Sequence, residues 1–234
     1  QITDTKILAL AQSTGAFFKN EDLVTDPVSN TVQFHVKTFA SQMKEFETPL
    51  CPSEPFYHQP VGANCSGALV GSDLVLTAGH CIRNQEICSD RKFVFGFAIK
   101  RPGVTPDPIS PEDVYDCKTI VITKDEADGV DYALIRLSRP VLNRPPLLVN
   151  RSGKPLRNTP LLVVGHPWGL PLKVADHAKV WSIDKRGYFL TNSDTYPGNS
   201  GSPVFNAQTR LIEGVLVRGN AQDFINNGSC SVSY

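Results

Sequence analysis

Short runs of β-branched, aliphatic and aromatic residues recur along the whole chain and are separated by Pro, Gly, Asn and Asp. Such runs are typical of strands, and the separating residues are typical of turns. The candidate strands span residues 32–39, 67–70, 74–78, 93–99, 119–123, 133–137, 161–165, 179–183, 188–191, 203–205 and 212–217. The pattern therefore predicts an all-β chain made of many short strands.

Helical periodicity is rare, and proline marks two segments that lie outside the strands. Residues 5–18 fit one amphipathic helix, but residues 15–19 also fit a first strand, and the pattern leaves both open. The proline-rich segments at 101–111 and 139–146 are predicted to be surface loops, because proline cannot donate a hydrogen bond to a strand ladder.

Chain length and the second proline-rich loop together predict two domains. The chain has 234 residues, which exceeds the usual length of one domain, and 41% of them are hydrophobic, enough for a sizeable core. We expect residues 1–138 to form an N-terminal extension and a first set of strands, and residues 139–234 to form a second set.

The charge balance and the length of the apolar runs narrow the choice of partner. The 23 basic side chains match the 23 acidic ones, so nothing favours a nucleic acid or an anionic membrane. No apolar run approaches the ~18 residues that a membrane span requires. We expect a soluble, monomeric protein with no nucleic-acid or membrane partner. Gln1 is neither Met nor the start of an export signal, so we expect a leader or propeptide to have been removed, or the chain to be trimmed.

Cysteine usage indicates an oxidising compartment. The six cysteines form an even set, and none lies in a C-x-x-C pair with the spacing of metal ligands. We therefore expect disulfides and a secreted or periplasmic location. The alternative is a set of reduced, buried thiols in a cytosolic protein.

Three short motifs carry the residue types of a nucleophilic hydrolase. They are LTAGHC at 76–81, DYALIRL at 131–137 and PGNSGSP at 197–203. A serine hydroxyl is a poor nucleophile at neutral pH, and it needs an imidazole to accept its proton and a carboxylate to orient that imidazole. His80, Asp131 and Ser200 provide these groups. Each motif alone also has a structural explanation, as a core histidine, a strand-initial aspartate or a tight turn, but their joint occurrence favours catalysis.

Together the motifs resemble those of the trypsin-like (chymotrypsin-fold) serine peptidases, over about residues 15–219. The resemblance implies two six-stranded antiparallel β-barrels with the active site in the cleft between them, His80 and Asp131 on the first and Ser200 on the second. It also implies that Ser200 attacks a peptide carbonyl, with His80 as general base, Asp131 as its orienting group and no cofactor. The amides of Gly198 and Ser200 would form the oxyanion hole.

The same resemblance implies a disulfide between Cys65 and Cys81, which closes the loop that carries the histidine. The other four cysteines allow three pairings, because connectivity cannot be deduced from spacing. Our working expectation pairs Cys88 with Cys117 and Cys51 with Cys230.

The residues around Ser200 depart from trypsin itself. Asn199 stands where trypsin has an aspartate that pairs with the new N-terminal amine, and an amide carries no charge for that pair. The GNSGSP form, and the DTYP run at 194–197, resemble instead the bacterial branch that includes the glutamyl endopeptidases.

The residues expected to line the primary pocket leave its preference open. They are Asp194, Thr195, Leu216, Val217, Arg218 and Gly219. Asp194 falls where trypsin keeps its pocket carboxylate, which favours Lys or Arg before the cut, although a solvated turn residue is the alternative. Some glutamyl endopeptidases resemble the chain in having an Asp-Thr pair there, but Leu216 stands in the place of their pocket histidine. Arg218 could pair with Asp194 or bind an acidic substrate directly.

The sequence therefore predicts a secreted serine endopeptidase that acts on protein or peptide substrates, with no metal or other cofactor. His166 is expected to be a loop residue that packs beside the site, since no second ligand lies at metal spacing. Three alternatives stay open: glutamyl-type specificity, a non-catalytic binding module that retains the fold, and a structural protein stapled by disulfides.

Overall fold

The computed structural model describes residues 2–101, 106, 108–127, 129–219 and 223–234. The helices in this part of the chain are α1 (Thr5–Gln12), α2 (Phe39–Glu45) and α3 (Gln85–Ser89). The strands are β1 (Thr14–Lys19), β2 (Leu23–Asp26), β3 (Thr31–Phe34), β4 (Lys37–Thr38), β5 (Pro60–Val61), β6 (Cys65–Leu69), β7 (Leu74–Thr77), β8 (Arg91–Phe95), β9 (Val114–Asp125), β10 (Asp131–Leu137), β11 (Pro160–Gly165), β12 (Lys173–Ile183), β13 (Phe189–Thr191), β14 (Pro203–Asn206), β15 (Ile212–Val215), β16 (Phe224–Asn226) and β17 (Ser231–Ser233). Of the predicted loop at 101–111, residues 102–105 and 107 lie outside the described residues.

The first barrel is closed by antiparallel pairing in the order β1-β6-β7-β10-β9-β8. Strand β10 shows why the sequence forms it: its residues alternate strictly between buried and partly exposed positions from Asp131 to Leu137. The buried side chains meet aromatic rings inside the barrel, where the centroids of Phe17 and Phe93 lie 4.9 Å apart and Phe93 meets Phe95 edge-on. This barrel therefore has a dry, interdigitated core.

The second half contains a five-stranded antiparallel sheet in the order β13-β12-β11-β14-β15. Leu161, Val163, Val180 and Val204 of this sheet are buried in one cluster. The expected all-β, two-barrel architecture is confirmed, but the expected sixth strand of the second barrel is not found in the described residues. Strand β15 ends at Val215, and β16 pairs with β17 in a separate hairpin, so this half is an open half-barrel.

The N-terminal segment contains both a helix and a first strand, the two alternatives that its pattern left open. Helix α1 begins after Asp4, whose carboxylate accepts hydrogen bonds from the amides of Lys6 and Ile7. The helix ends at Gln12, and β1 follows it directly. Leu10 of the helix packs with Phe205 in the second half, so the N-terminal segment connects the two halves.

The predicted strand at 32–39 is divided into β3 and β4, and helix α2 begins at its last residue, Phe39. The Thr38 hydroxyl accepts from the amide of Ser41 and caps α2. The helix buries Phe39 and Met43 against Leu170 and Phe224. The insertion formed by residues 39–59 therefore packs against loops of the second half rather than against the first barrel.

Three disulfides hold the described chain together. They join Cys65 to Cys81, Cys88 to Cys117, and Cys51 to Cys230, which are the expected pairs. The last one ties the 39–59 insertion to the hairpin of β16 and β17. No helix of the described residues combines the length and the apolar character needed to cross a membrane.

Candidate active site

His80 and Asp131 are brought together by two neighbouring strands of the first barrel. His80 lies in a short 3-10 turn directly after β7, and Asp131 is the first residue of β10, which pairs with β7. The imidazole Nδ1 lies 2.7 Å from the Asp131 Oδ2. The other carboxylate oxygen accepts from the amides of Gly79 at 2.7 Å and His80 at 3.2 Å. These bonds fix the carboxylate, and a proton on Nδ1 leaves Nε2 free to accept one.

The turn that carries His80 admits no larger residue at its first position. A Cβ atom on Gly79 would lie 1.8 Å from the carbonyl oxygen of Lys124 on β9. The Cys65–Cys81 disulfide anchors the other end of the turn to β6. The backbone of His80 is therefore clamped on both sides.

The Ser200 turn is held against the same strand, β6, from the second half. The Ser200 carbonyl accepts from the amide of Ser66 at 2.7 Å, and the Gly198 carbonyl accepts from the Ser66 hydroxyl at 3.1 Å. The Cys81 sulfur lies 3.7 Å from the Ser200 carbonyl oxygen, so the serine and histidine turns are adjacent. No hydrogen bond joins the Ser200 hydroxyl to His80 among the described residues. In unliganded enzymes such a bond is often long and shortens when substrate binds.

The expected oxyanion hole has free amide groups. Within the described residues, no hydrogen bond uses the amide of Gly198 or of Ser200. Gly198 has a φ of +87°, and a Cβ atom there would meet the His166 carbonyl oxygen at 2.7 Å and the Trp168 nitrogen at 2.9 Å. Only glycine fits this position and conformation, and it leaves the two donors unoccupied.

The Asn199 side chain is hydrogen-bonded to a neutral group rather than paired with a charge. Its side chain is buried, and its Oδ1 accepts from the Ser202 hydroxyl at 3.2 Å. Gly165 leaves room for this contact, because a Cβ atom there would lie 2.7 Å from the same Oδ1. The residue before the candidate nucleophile is thus held by neutral hydrogen bonding.

His166 is a buried, neutral support of the Ser200 turn. Its amide donates to the Ser66 hydroxyl at 3.0 Å, its Nδ1 lies 3.0 Å from the Leu170 carbonyl oxygen, and its ring stacks on Phe97. Burial lowers the pKa of His166 to about 3; the hydrogen bond with Leu170 opposes this shift, and the charge of Lys173 adds to it. The Nε2 atom has no partner in the described structure.

All six residues predicted to form the pocket line one cavity of about 830 Å³. Tyr196 and Asp223 also line it. Neither was predicted as a pocket residue: Tyr196 lies in the DTYP run but was given no role, and Asp223 falls in no motif. A smaller cavity of about 370 Å³ is lined by His80 and Asp131 and shares Val217 and Arg218 with the large one. The pocket therefore lies directly beside the histidine and the aspartate.

Arg218 does not pair with Asp194, which was one of its two expected roles. Its guanidinium donates to the carbonyl oxygens of Glu126 and Gly129, and its Nη2 lies 3.8 Å from the Asp131 Oδ2. Arg218, in the segment that follows β15, therefore bridges the second half to the first barrel, where it meets the buried carboxylate of Asp131.

Two carboxylates and a tyrosine hydroxyl, those of Asp194, Asp223 and Tyr196, line the large cavity together with basic side chains. The pKa of Tyr196 is raised to about 12, by burial first and then by the hydrogen bond and negative charge of Asp194, with smaller effects of Asp223 and Glu54. The pKa of Asp223 is also raised, by burial and by the charge of Asp194. Of these two carboxylates, Asp194 is exposed to solvent and Asp223 is half-buried.

The described donor groups are poorly suited to a metal ion. The candidate ligand atoms of His80, Asp125 and Asp131 lie within 4.8 Å of one another. The Asp125 carboxylate, however, already accepts from Arg83 at 2.6 Å, and both Asp131 oxygens are bonded as described above. The nearby cysteines Cys65 and Cys81 are joined to each other. A cation would have to break these bonds to enter.

Comparison with known proteins identifies the family of the chain. A family model described as a trypsin-like peptidase domain matches residues 65–212. No curated protein matches the sequence significantly. Among solved structures, an inactive form of Rv3671c from M. tuberculosis has a TM-score of 0.53 and 13% identity, covering 95% of this chain and 82% of that one. The serine endoprotease from Yersinia pestis has a TM-score of 0.55 and 12% identity, covering 94% and 60%. Identities this low show the shared fold alone.

Proposed function

The chain belongs to the trypsin-like peptidase family, and from this premise we propose that it is a secreted serine endopeptidase with His80, Asp131 and Ser200 as its catalytic triad. The observation that carries the proposal is the 2.7 Å contact between the His80 Nδ1 and a buried Asp131, next to the turn of Ser200. Asp131 holds the His80 imidazole in one orientation, in which it can serve as the base that the Ser200 hydroxyl requires.

In the proposed mechanism, the Ser200 Oγ attacks the carbonyl carbon of the scissile peptide bond while its proton passes to the His80 Nε2. Asp131 stabilises the resulting imidazolium, and the amides of Gly198 and Ser200 donate to the negative oxygen of the tetrahedral intermediate. The C–N bond then breaks, and His80 returns the proton to the leaving amine. A water molecule then attacks the acyl carbonyl carbon while His80 accepts its proton. The ester C–O bond breaks, and His80 returns the proton to the Ser200 Oγ.

We propose a preference for Lys or Arg before the cut, on the basis of Asp194. No ion pair of the described residues involves this carboxylate, so its charge is available to a substrate cation. Acidic specificity has less support, because Leu216 cannot bond a carboxylate and Arg218 is engaged with Glu126, Gly129 and Asp131. The three disulfides support an oxidising compartment, and we propose that the enzyme acts there as a monomer.

The proposal is tested by covalent labelling and by peptide cleavage. The intact chain is treated with a serine-directed phosphonate and its mass is measured, with Ser200→Ala as the matched control. We expect one adduct on the wild type and none on the variant. The labelled and unlabelled enzymes are then compared on a peptide library. Cuts after Lys and Arg support the proposal, cuts after Glu would assign the glutamyl alternative, and a chain that neither labels nor cuts would be a binding module.

A further inference from the structure

We propose that Trp168 is a positioning residue for the oxyanion hole, and that the 39–59 insertion holds it in the conformation in which its amide fixes the direction of the Gly198 N–H. The inference rests on the proposed function, because Gly198 is one of the two proposed oxyanion donors. It gives a role to Trp168 and to the insertion, neither of which belongs to the three motifs.

The peptide unit that carries the Gly198 N–H is held by Trp168. The carbonyl oxygen of Pro197 accepts a hydrogen bond from the amide of Trp168 at 2.5 Å. A trans peptide unit is planar, so its carbonyl oxygen and its N–H point in opposite directions. No cis peptide bond occurs in the described chain. The Gly198 N–H therefore points away from Trp168, and no described group accepts it.

This peptide unit needs a restraint, because glycine allows backbone conformations that other residues do not. Gly198 has a φ of +87°. The Ser66 hydroxyl binds the Gly198 carbonyl at 3.1 Å, but that bond restrains the next peptide unit. If the unit between Pro197 and Gly198 turned over, a carbonyl oxygen would replace the N–H and would repel the negative oxygen of the tetrahedral intermediate. The bond from the Trp168 amide opposes this rotation.

Trp168 itself has an unusual backbone conformation, which neighbouring segments hold in place. Its φ of +51° and ψ of +21° lie in the left-handed region, where a bulky side chain is rare. Its carbonyl oxygen accepts from the Gln42 Nε2 of helix α2 at 2.9 Å. The carbonyl oxygen of the next residue, Gly169, accepts from the amides of Gly62 and Ala63 at 3.1 and 3.3 Å. The conformation thus depends on the insertion and on the segment that leads from it to β6.

The indole ring of Trp168 packs against aromatic rings of both the insertion and the hairpin of β16 and β17. Its centroid lies 6.5 Å from that of Phe39, 6.1 Å from that of Phe46 and 5.8 Å from that of Phe224. The indole N–H has no hydrogen-bond partner in the described structure, so packing holds the ring. The Cys51–Cys230 disulfide joins the insertion to the hairpin. The two elements that contact the ring are therefore covalently linked.

The test separates stabilisation of the oxyanion from binding of the substrate. One ligand is a peptide that ends in an aldehyde, to which the Ser200 Oγ adds so that the former carbonyl oxygen enters the oxyanion hole. The other is the same peptide ending in the alcohol, which cannot form this adduct. Both ligands, and the peptide amides used as substrates, carry Arg or Lys before the reacting carbon, or the residue that the peptide library selects.

For Trp168→Ala we expect kcat to fall about 10- to 100-fold while KM stays within about threefold, because the Gly198 N–H is then directed into the hole for only part of the time. The affinity for the aldehyde should fall by a similar factor, and the affinity for the alcohol should stay within about threefold. Trp168→Phe keeps an aromatic ring in the cluster and should retain kcat within about threefold. Lys44→Ala is the matched control, because Lys44 is exposed on the same helix as Gln42.

Each variant is titrated to completion with the serine-directed phosphonate, so that rates refer to folded, active enzyme. An unchanged kcat in fully titrated Trp168→Ala, or equal losses of affinity for the aldehyde and the alcohol, would refute the inference while leaving the proposed function intact. A wild type that neither labels nor cuts would refute the proposed function itself.

If Trp168→Ala yields no active enzyme, Gln42→Leu decides. This variant keeps the indole ring and removes the bond to the Trp168 carbonyl oxygen. It should lower the affinity for the aldehyde about fivefold, as the loss of one neutral hydrogen bond does, and leave the affinity for the alcohol unchanged. An unchanged ratio of the two affinities would overturn the inference.

Discussion

The two halves of the molecule hold their functional groups in different ways. In the first barrel, His80 and Asp131 sit at the ends of paired strands. Backbone amides that donate to the Asp131 carboxylate, and a disulfide that spans 16 residues, fix them. In the second half, the pocket residues lie on loops around an open sheet, and contacts between distant segments position them. The base and its carboxylate are thus built into a closed ladder, whereas the turn of Ser200 and the pocket are positioned by contacts between distant segments.

Removing the nucleophile or the base should have the largest effect. Ser200→Ala and His80→Ala should each lower kcat by ~10⁶-fold, because the members of a triad act as one unit. The measurement is hydrolysis of a Lys or Arg peptide amide, with Ser182→Ala, an exposed position on β12, as the control. If either variant kept a kcat within 100-fold of the wild type, the proposed roles of Ser200 and His80 would be wrong. The contrast between the two halves would then not describe how the catalytic groups are held.

Local patterns predicted the first barrel well. The alternation in DYALIRL gives strand β10 its buried and exposed faces, and the LTAGHC motif ends β7 at the turn of His80, as expected. The strand expected at 93–99 ends early, at Phe95, because Gly96 adopts a φ of +82°. Such details depend on single backbone angles, which a hydrophobic pattern does not specify.

The recognition half was harder to predict because its residues meet across long sequence separations. Cys51 and Cys230 are 179 residues apart, and the sequence alone allowed other pairings. Asp223 lies in no motif, and only the hairpin that the disulfide holds brings it into the pocket. Arg218 was placed in the pocket, but its bonds to Glu126 and Gly129 depend on how the two halves pack. The missing information was tertiary contact, not local propensity.

The two long-span disulfides offer a direct test of this contrast. A chain-entropy model gives a stabilisation of ~5 kcal/mol for Cys51–Cys230 and ~3.6 kcal/mol for Cys88–Cys117. We expect double alanine variants to lose between 2 and about 5 kcal/mol in the free energy of unfolding, measured with urea, with the greater loss for Cys51–Cys230. Only the Cys51–Cys230 variant should also raise KM, because this bond supports the pocket. A rise in KM in both variants, or in neither, would contradict the inference that only the Cys51–Cys230 disulfide supports the pocket.

His166 connects the halves and should make stability depend on pH. Its pKa in the folded protein is lowered to about 3, whereas a histidine in the unfolded chain titrates near 6.5. Above pH 6.5 the ring is neutral in both states. Between pH 6.5 and 3 only the unfolded chain binds the proton, so the free energy of unfolding falls as pH falls, by at most ~1.4 kcal/mol per unit.

His166→Phe removes this titration while keeping an aromatic ring on Phe97. Urea midpoints of the two proteins are measured at pH 5, 6 and 7, and the difference between them isolates the histidine from the carboxylates that titrate in both. The difference in urea midpoint between the wild type and His166→Phe should change toward pH 5 in the direction that disfavours the wild type. A difference that stays constant with pH would show that His166 becomes charged in the folded state.

Arg218 should give the smallest effect, although it touches both halves. Its side chain is 41% exposed, so solvent screens its ion pair with Asp131, and such pairs contribute about 0–1 kcal/mol. We expect Arg218→Gln to lower kcat/KM by no more than about fivefold, and Arg218→Lys, which keeps the charge, to lose less. The two variants are compared on the Arg and Lys peptide amides. A loss in kcat/KM above 100-fold in Arg218→Gln that Arg218→Lys restores would mean that catalysis depends on a charge from the second half. The proposed contrast between the two halves would then be wrong for this residue.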